Sequence, residues 1–350
     1  MPHGRWWLMA TALGVAAARG GEKPVAADSA TWVRLPPALL AAAAPPRHAG
    51  GELPAAATTN VRSLQVYAGC RAALLDGVNV WLQAPPREAG RDAACEVARA
   101  DFDSLLLPVL WTTAAPPARL CVVLDPGHGG DDTGTSAINP LVREKDLALD
   151  LALRAAARLE AAGLRVWLTR QDDAALTLGA RTRVARQHEA DVFVSIHANA
   201  APLNPLANGV ETFVLPVAGC PGTAEGSRAP PEPVPGNRFD AANARLGFAL
   251  HRRCAPPSAM DRGLKRARYV VLRDACCPAA LVECGFLTNA GDAARLARNE
   301  SREEIAAAIA DGILDFASFA PRLDRPGAET PPTIPTASAL GPPAAVAQAR

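Results

Sequence analysis

The sequence predicts an α/β protein: a mostly parallel twisted sheet with helices on both faces, preceded by a small β-rich module. Two observations predict the main part. Past residue 120, short apolar runs alternate with longer segments of helical period, the strand–helix rhythm of a parallel sheet. The first of those runs, LCVVLD at 120–125, is apolar without alternation, as a strand covered on both faces must be. A third observation predicts the module. Between residues 51 and 113, VRSLQVYAG, DGVNVWLQAP and EVARADFDSLLLPVLW alternate apolar and polar residues between Gly and Pro breaks.

Taken in chain order, residues 1–18 read as a signal peptide. Arg5 gives a short positive region, 6–18 is apolar but too short to span a bilayer, and Ala16, Ala17 and Ala18 offer a small-residue cleavage site. No cysteine follows closely enough to carry a lipid anchor. Residues 19–50 are rich in Ala and Pro and read as a mobile linker. The 51–113 module, with a DGVNVWL hairpin, reads either as a localisation unit or as a folded spacer. AAPPA at 114–118 marks the boundary of a second domain, 119–320.

In that domain LCVVLD is the first strand, and 146–162 is a helix that Gly163 stops. LRVWLTR is the next strand, 178–189 a helix, DVFVSIH a third strand and GVETFVLP a fourth. Residues 216–240 break the pattern. Prolines 230, 231, 233 and 235 forbid a regular helix, and the expectation is a mobile flap of weak influence that follows a strand end beside the candidate site. Then come a helix at 241–253, strands at RYVVLR and ALVECGF, and a closing helix at 301–319. The Pro- and Ala-rich tail, 321–350, reads as disordered.

Composition narrows the partners. Lys and Arg number 36 against 35 Asp and Glu, and a net charge of +1 offers no one-sign field to attract nucleic acid. No segment is apolar over the length a membrane span requires. Oligomeric state is not readable from the chain. In an exported protein some of the 8 cysteines should pair, and Cys70 and Cys95, alone together in the N-terminal region, are the expected pair. None has CxxC spacing, so a thiolate metal cluster is not expected.

Four stretches carry chemistry. LDPGHGG (124–130), VREKDLAL (142–149) and FVSIHAN (193–199) offer His128, Glu144 and His197. Two imidazoles and a carboxylate are three ligands of the types zinc prefers, with a fourth position left for water. ALVECGFLTN (280–289) ends a strand on Glu283, a carboxylate suited to take a water's proton and return it. Strand ends of an open α/β sheet converge on one rim, which brings these residues together. Each has a plainer reading. A histidine is more often a satisfied structural residue, Glu144 suits a helix N-terminus electrostatically, and Glu283 suits a buried structural acid. Asn199 and Arg273 are substrate contacts by position. His188 and His251 lie on helix patterns and are expected at the surface.

In order and wording these stretches resemble the zinc-dependent N-acetylmuramoyl-L-alanine amidases of bacterial cell walls, the type 3 family. The resemblance runs from about residue 121 to 319. It includes LTLGARTRVARQHEADVFVSIHANA, where Leu178, Arg181 and Ala190–Asp191 stand where the family has them, then GVETFVLP and DRGLKRARYVVLRDACCPAALVECGFLTN. The resemblance implies a hydrolase, periplasmic or associated with the cell wall, that cuts the amide between N-acetylmuramic acid and L-alanine of peptidoglycan in wall remodelling or daughter-cell separation. It implies Zn2+ on His128, Glu144 and His197, with Glu283 catalytic. Some members carry a helical plug near the position of 216–240 that an activator protein moves, which makes an activator a candidate partner. Two other readings stay open at this level: a peptidoglycan-binding protein with a weak or dead centre, and a zinc peptidase or deacetylase of related wall amides.

Overall fold

Among the described residues seven short strands come first: β1 (Trp32–Arg34), β2 (Ala55–Thr59), β3 (Arg62–Val66), β4 (Ala72–Leu75), β5 (Val78–Trp81), β6 (Arg87–Ala89) and β7 (Ala94–Ala98). A helical run follows, made of α1 (Arg99–Asp101), a π-helical turn (Phe102–Leu106) and α2 (Leu107–Leu110). The computed structural model describes residues 32–35, 55–59, 62–66, 69–89, 94–110, 120–225, 232–256 and 259–319. The expectations for the signal peptide 1–18, the boundary at 114–118 and the tail 321–350 lie outside these residues. The predicted hairpin is β4–β5. Its turn, Asp76-Gly77, has both residues at positive φ (52° and 78°), the geometry whose twist matches two paired strands. β1 lies inside the stretch read as a linker. It pairs antiparallel with β7, with Leu35 buried behind it and the Arg87 guanidinium 4.2 Å from the Trp32 ring centroid.

The second part contains β8 (Cys121–Pro126), β9 (Ser136–Ile138), β10 (Leu141–Arg143), α3 (Glu144–Ala161), β11 (Arg165–Leu168), α4 (Leu178–Gln187), β12 (Val192–Asn199) and β13 (Val210–Val214). It continues with α5 (Asp240–Cys254), β14 (Asp261–Arg266), α6 (Val270–Arg273), β15 (Ala279–Phe286), α7 (Ala290–Ala297) and α8 (Asn299–Phe319). Ten strands form one sheet in the order β11-β8-β12-β15-β13-β14-β5-β4-β3-β2. β11, β8, β12 and β15 are parallel, and β13 runs antiparallel to β15. The β-rich segment of residues 55–81 therefore adds its strands to this sheet, entering through the parallel pair β5–β14. One face packs on α3, α5 and α8 around Leu124, Leu151, Val194, Leu250, Val282 and Ile313, all buried. The other face packs on α4 and α6 around Phe193, Phe213, Leu272 and Leu281.

The structure corrects several expectations. RYVVLR is the one-turn helix α6 rather than a strand: Val271 and Leu272 are buried in the second apolar cluster, and Arg273 lies at the end of the turn. The strand of this region is DRGLKR, now β14, whose charges mask it in the sequence because each finds a buried partner. His251 is fully buried rather than superficial, 2.9 Å from Thr212 Oγ1 and 2.8 Å from Asp261 Oδ1, because α5 turns that face onto the sheet. Among the described residues no disulfide is closed: Cys70 is exposed on the turn before β4 while Cys95 is buried in β7, so the expected pair is not formed.

A buried polar junction ties the first part to the second. Asp101 is fully buried and accepts from the backbone N–H of Gln83 (2.7 and 2.9 Å) and Ala84 (3.3 Å). Burial pushes its pKa up to about 6, against the pull of Arg266 on β14. The unfolded carboxyl ionises near 3.8 and the folded one near 6. Between those values the folded state holds the extra proton, so stability falls as pH rises through this window, by up to about 3 kcal/mol. Denaturant titrations from about pH 3.5 to 7.5 check this. Asp101→Asn, which cannot ionise, is expected to lose that fall, and an unchanged pH slope in the variant would contradict it.

Candidate metal centre

β8 ends at Pro126, and the chain then turns through Gly127 and His128 at the carboxyl rim of the sheet. Gly127 N–H still donates to Ile196 O (3.0 Å), which fixes the turn against β12. Two buried arginines take up the carbonyls of the turn. Arg181 donates to Pro126 O (2.7 Å) and His128 O (2.6 Å). Arg170 donates to Pro126 O (3.1 Å) and Gly127 O (2.7 Å). Asp125 supplies the counter-charge, accepting from Arg181 (2.8 Å), Thr169 Oγ1 (2.6 Å) and Ser195 Oγ (2.7 Å). So held, His128 sits at φ 60°, a left-handed conformation that a non-glycine residue keeps only when its surroundings enforce it.

Glu144 opens α3 and turns its carboxylate between the two histidines. Its Oε1 lies 2.9 Å from His128 Nε2 and 2.9 Å from His197 Nδ1, and its Oε2 accepts from Thr135 N–H (2.9 Å). One ligand atom from each of His128, Glu144 and His197 lies within 4.8 Å of the others. Space for the rings comes from two glycines. A Cβ on Gly127 would meet His197 Cε1 at 2.2 Å, and one on Gly134 would meet Glu144 Oε2 at 2.5 Å. Sequence reasoning missed Asp132, whose Oδ2 lies 2.8 Å from His128 Nδ1 and leaves Nε2 to face the cluster. The signal was available, since Asp132 stands four residues after His128 in the same loop.

Glu283 stands on β15, in register with His197 on one side and Glu211 of β13 on the other. It is 9% exposed, and its Oε2 is buried with no hydrogen-bond partner. Burial, reinforced by the carboxylates of Glu144 and Glu211, pushes its pKa well above the usual carboxylate range. Glu144 goes the other way. Burial alone would raise it, but hydrogen bonds with His128 and His197 hold it down to about 2. His128 is disfavoured as a cation by burial, yet Glu144 and Asp132 outweigh this and raise its pKa.

The set fits a divalent metal. Two imidazoles and one carboxylate converge, and an orphaned buried carboxylate oxygen stands beside them. Asn199 lies on the same rim but is bound to Glu211 (3.0 Å). The contacts of Arg273 are with Asp274 (2.7 and 2.9 Å), and they do not draw it to the cluster. The 216–240 insertion also departs from expectation. Because β13 is antiparallel to β15, its far end lies opposite the start of β15, roughly 13 Å along the strand from the row of Glu211 and Glu283. The insertion is tied to β14 there, with Thr223 N–H donating to Arg266 O (2.8 Å) and Glu225 paired with Arg268. Its described part holds one short 3-10 turn, Pro235–Phe239.

The glycine requirement is testable. Gly127→Ala is expected to keep the fold, followed by circular dichroism, and to bind a divalent cation at least about 10-fold more weakly, because the added methyl displaces His197. Wild-type affinity in a folded variant would contradict the packing described.

Comparison with known proteins bears on this cluster. The Amidase_3 family, described as N-acetylmuramoyl-L-alanine amidase, matches residues 122–315. The chain is 33% identical over 197 residues to N-acetylmuramoyl-L-alanine amidase LytC of Bacillus subtilis (strain 168), a match covering 56% of this chain and 35% of that protein. It is 32% identical over 221 residues to N-acetylmuramoyl-L-alanine amidase AmiA of Escherichia coli (strain K12), covering 56% of this chain and 75% of that protein. Among solved structures, the catalytic domain of CwlV, an amidase of the same name from Bacillus (Paenibacillus) polymyxa var. colistinus, is 32% identical with a TM-score of 0.48, covering 57% of this chain and 99% of that one. This chain thus spans about a third of the length of LytC and three quarters of that of AmiA. The family match takes in His128, Glu144, His197 and Glu283 and more than half of the chain, and the protein belongs to the Amidase_3 family of N-acetylmuramoyl-L-alanine amidases.

Proposed function

We propose that this protein hydrolyses the amide between N-acetylmuramic acid and L-alanine in peptidoglycan, using zinc held by His128, Glu144 and His197. The observation that carries the reading is the pairing of that donor cluster with Glu283, a buried carboxylate on the adjacent strand with an unpartnered oxygen. Zinc bound there would supply a Lewis acid for the amide carbonyl and for a water. The chain's own groups do the rest. Glu283 takes a proton from the attacking water and gives it to the departing nitrogen of L-alanine, which cannot leave as an amide anion. Its burial suits both halves of this task, since a carboxyl whose pKa is raised both accepts the proton and holds it for transfer. Asp132 keeps His128 in one orientation, and the two arginines keep the loop from relaxing its positive φ.

Digestion of purified cell wall, followed by mass spectrometry of the new ends, tests this. Free L-alanine amino termini are expected. Free glucosamine amines would mean a deacetylase, and no new ends would mean a binding protein. Glu283→Gln is expected to keep metal and fold while turnover falls about 10²–10⁴-fold, the usual cost of losing a general base. Turnover within a few-fold of wild type would remove Glu283 from the reaction.

The reading also places the protein outside the cytoplasm. Residues 1–18 have the charge, apolar length and small-residue end of an export signal. No described helix is long and apolar enough to cross a membrane. Mature protein starting near residue 19 in the periplasmic or wall fraction is expected, and an intact amino terminus on cytosolic protein would contradict it.

A further inference from the structure

Beside Glu283 the sheet carries a second charged group that the reaction leaves unused. Glu211, 4% exposed, stands opposite Glu283. Its Oε1 accepts from Arg262 Nε and from Lys265 Nζ (2.7 Å), and its Oε2 from Asn199 Nδ2 (3.0 Å). β14 reaches this arrangement through a bulge. Val210 pairs with Asp261 and Thr212 with Leu264, so Arg262 and Gly263 together face the one residue Glu211. In a regular strand residues three apart, such as Arg262 and Lys265, point to opposite faces, and the bulge brings the two to one face. Gly263 accommodates it at φ 92°.

Both cations thus share a face with Glu283. Two positive charges meet one carboxylate, which leaves the group with a positive charge in excess. Neither side chain is sealed: that of Arg262 keeps 23% of its surface and that of Lys265 15%. Each is steered by an aromatic wall. The Arg262 guanidinium lies 4.9 Å from the Phe286 ring centroid, and the Lys265 ammonium 5.9 Å from that of Trp81. Trp81, supplied by β5 ahead of the family-matched residues, also donates its indole N–H to Arg262 O (3.2 Å). Two strand spacings separate β14 from β15, about 10 Å, and both side chains reach back across β13.

We propose that Arg262 and Lys265 form a subsite for a carboxylate carried by the second residue of the peptide on the leaving side of the scissile amide. The proposal rests on the amidase reading above. Charge selects the peptide side, because a glycan offers hydroxyl and acetamido groups that need no surplus cation, whereas peptide carboxylates do. Reach selects the residue, since a second residue beyond the scissile nitrogen lies about 7 Å out and its carboxylate extends further.

The test uses two N-acetylmuramoyl-L-alanyl-D-glutamyl peptides that differ only in whether the glutamyl α-carboxyl is free or a primary amide. Wild type is expected to favour the acid by about 10- to 100-fold in kcat/KM, mostly through KM, the worth of a charge-assisted hydrogen bond. Arg262→Gln and Lys265→Met should each bring the ratio close to unity, and Lys265→Arg should largely restore it. Equal treatment of the two substrates by wild type, or a preference that survives both substitutions, overturns the subsite. Cleavage of neither substrate would refute the amidase reading instead. Calorimetric affinities for the two free peptides then decide the subsite by the same ratios.

Discussion

The site depends on a buried clamp. Arg170 and Arg181 hold the carbonyls of Pro126, Gly127 and His128, with Asp125 as their counter-charge. Strand pairing ends where these carbonyls begin, and buried carbonyls left without donors would each cost on the order of 1–3 kcal/mol. The arginines remove that cost, and they fix a positive-φ histidine that would otherwise relax. Glu144 can then sit between His128 and His197, because the ring positions are set by backbone and glycine space rather than by the carboxylate itself. Burying two guanidinium groups this deeply is tolerable because Arg170 makes four hydrogen bonds and Arg181 three, all to carbonyls or to Asp125.

The antiparallel strand β13 is the second constraint. Inserted into a parallel sheet, it brings Glu211 opposite Glu283 and makes a row across the rim from His197 to β14. It also carries the chain away from the rim before residues 216–240, so the insertion meets β14 at its far end. The same strand β14 joins the two parts of the chain. Arg266 lies in the field of Asp101, while Arg262 and Lys265 face Glu211.

Much of the fold was legible in the sequence because the central strands bury both faces. LCVVLD, DVFVSIH and ALVECGF announce themselves by largely apolar runs; His128 stands just past a strand end, His197 near one and Glu144 at a helix start, while Glu283 lies within β15, three residues before its end. β14 was not legible. DRGLKR carries four charged residues, and only the partners Asp101, Glu211 and His251, distant in sequence, reveal that each is accommodated. RYVVLR misled for the converse reason: a short apolar run does not distinguish a strand from one helical turn. The direction of β13 was equally hidden, since alternation reads the same both ways along a strand. Asp132 escaped notice because a carboxylate on a polar loop looks like solvent-facing charge until the histidine beside it is placed.

We assign the metal to the two imidazoles and the carboxylate on one rim of the sheet. X-ray absorption at the zinc edge of the zinc-loaded full chain tests it most directly, because the same chain carries 8 cysteines that compete as ligands. Nitrogen and oxygen neighbours only are expected, at about 2.0–2.2 Å, with the outer-shell scattering of imidazole. Sulfur scattering at about 2.3 Å would place the metal on cysteine and contradict the account.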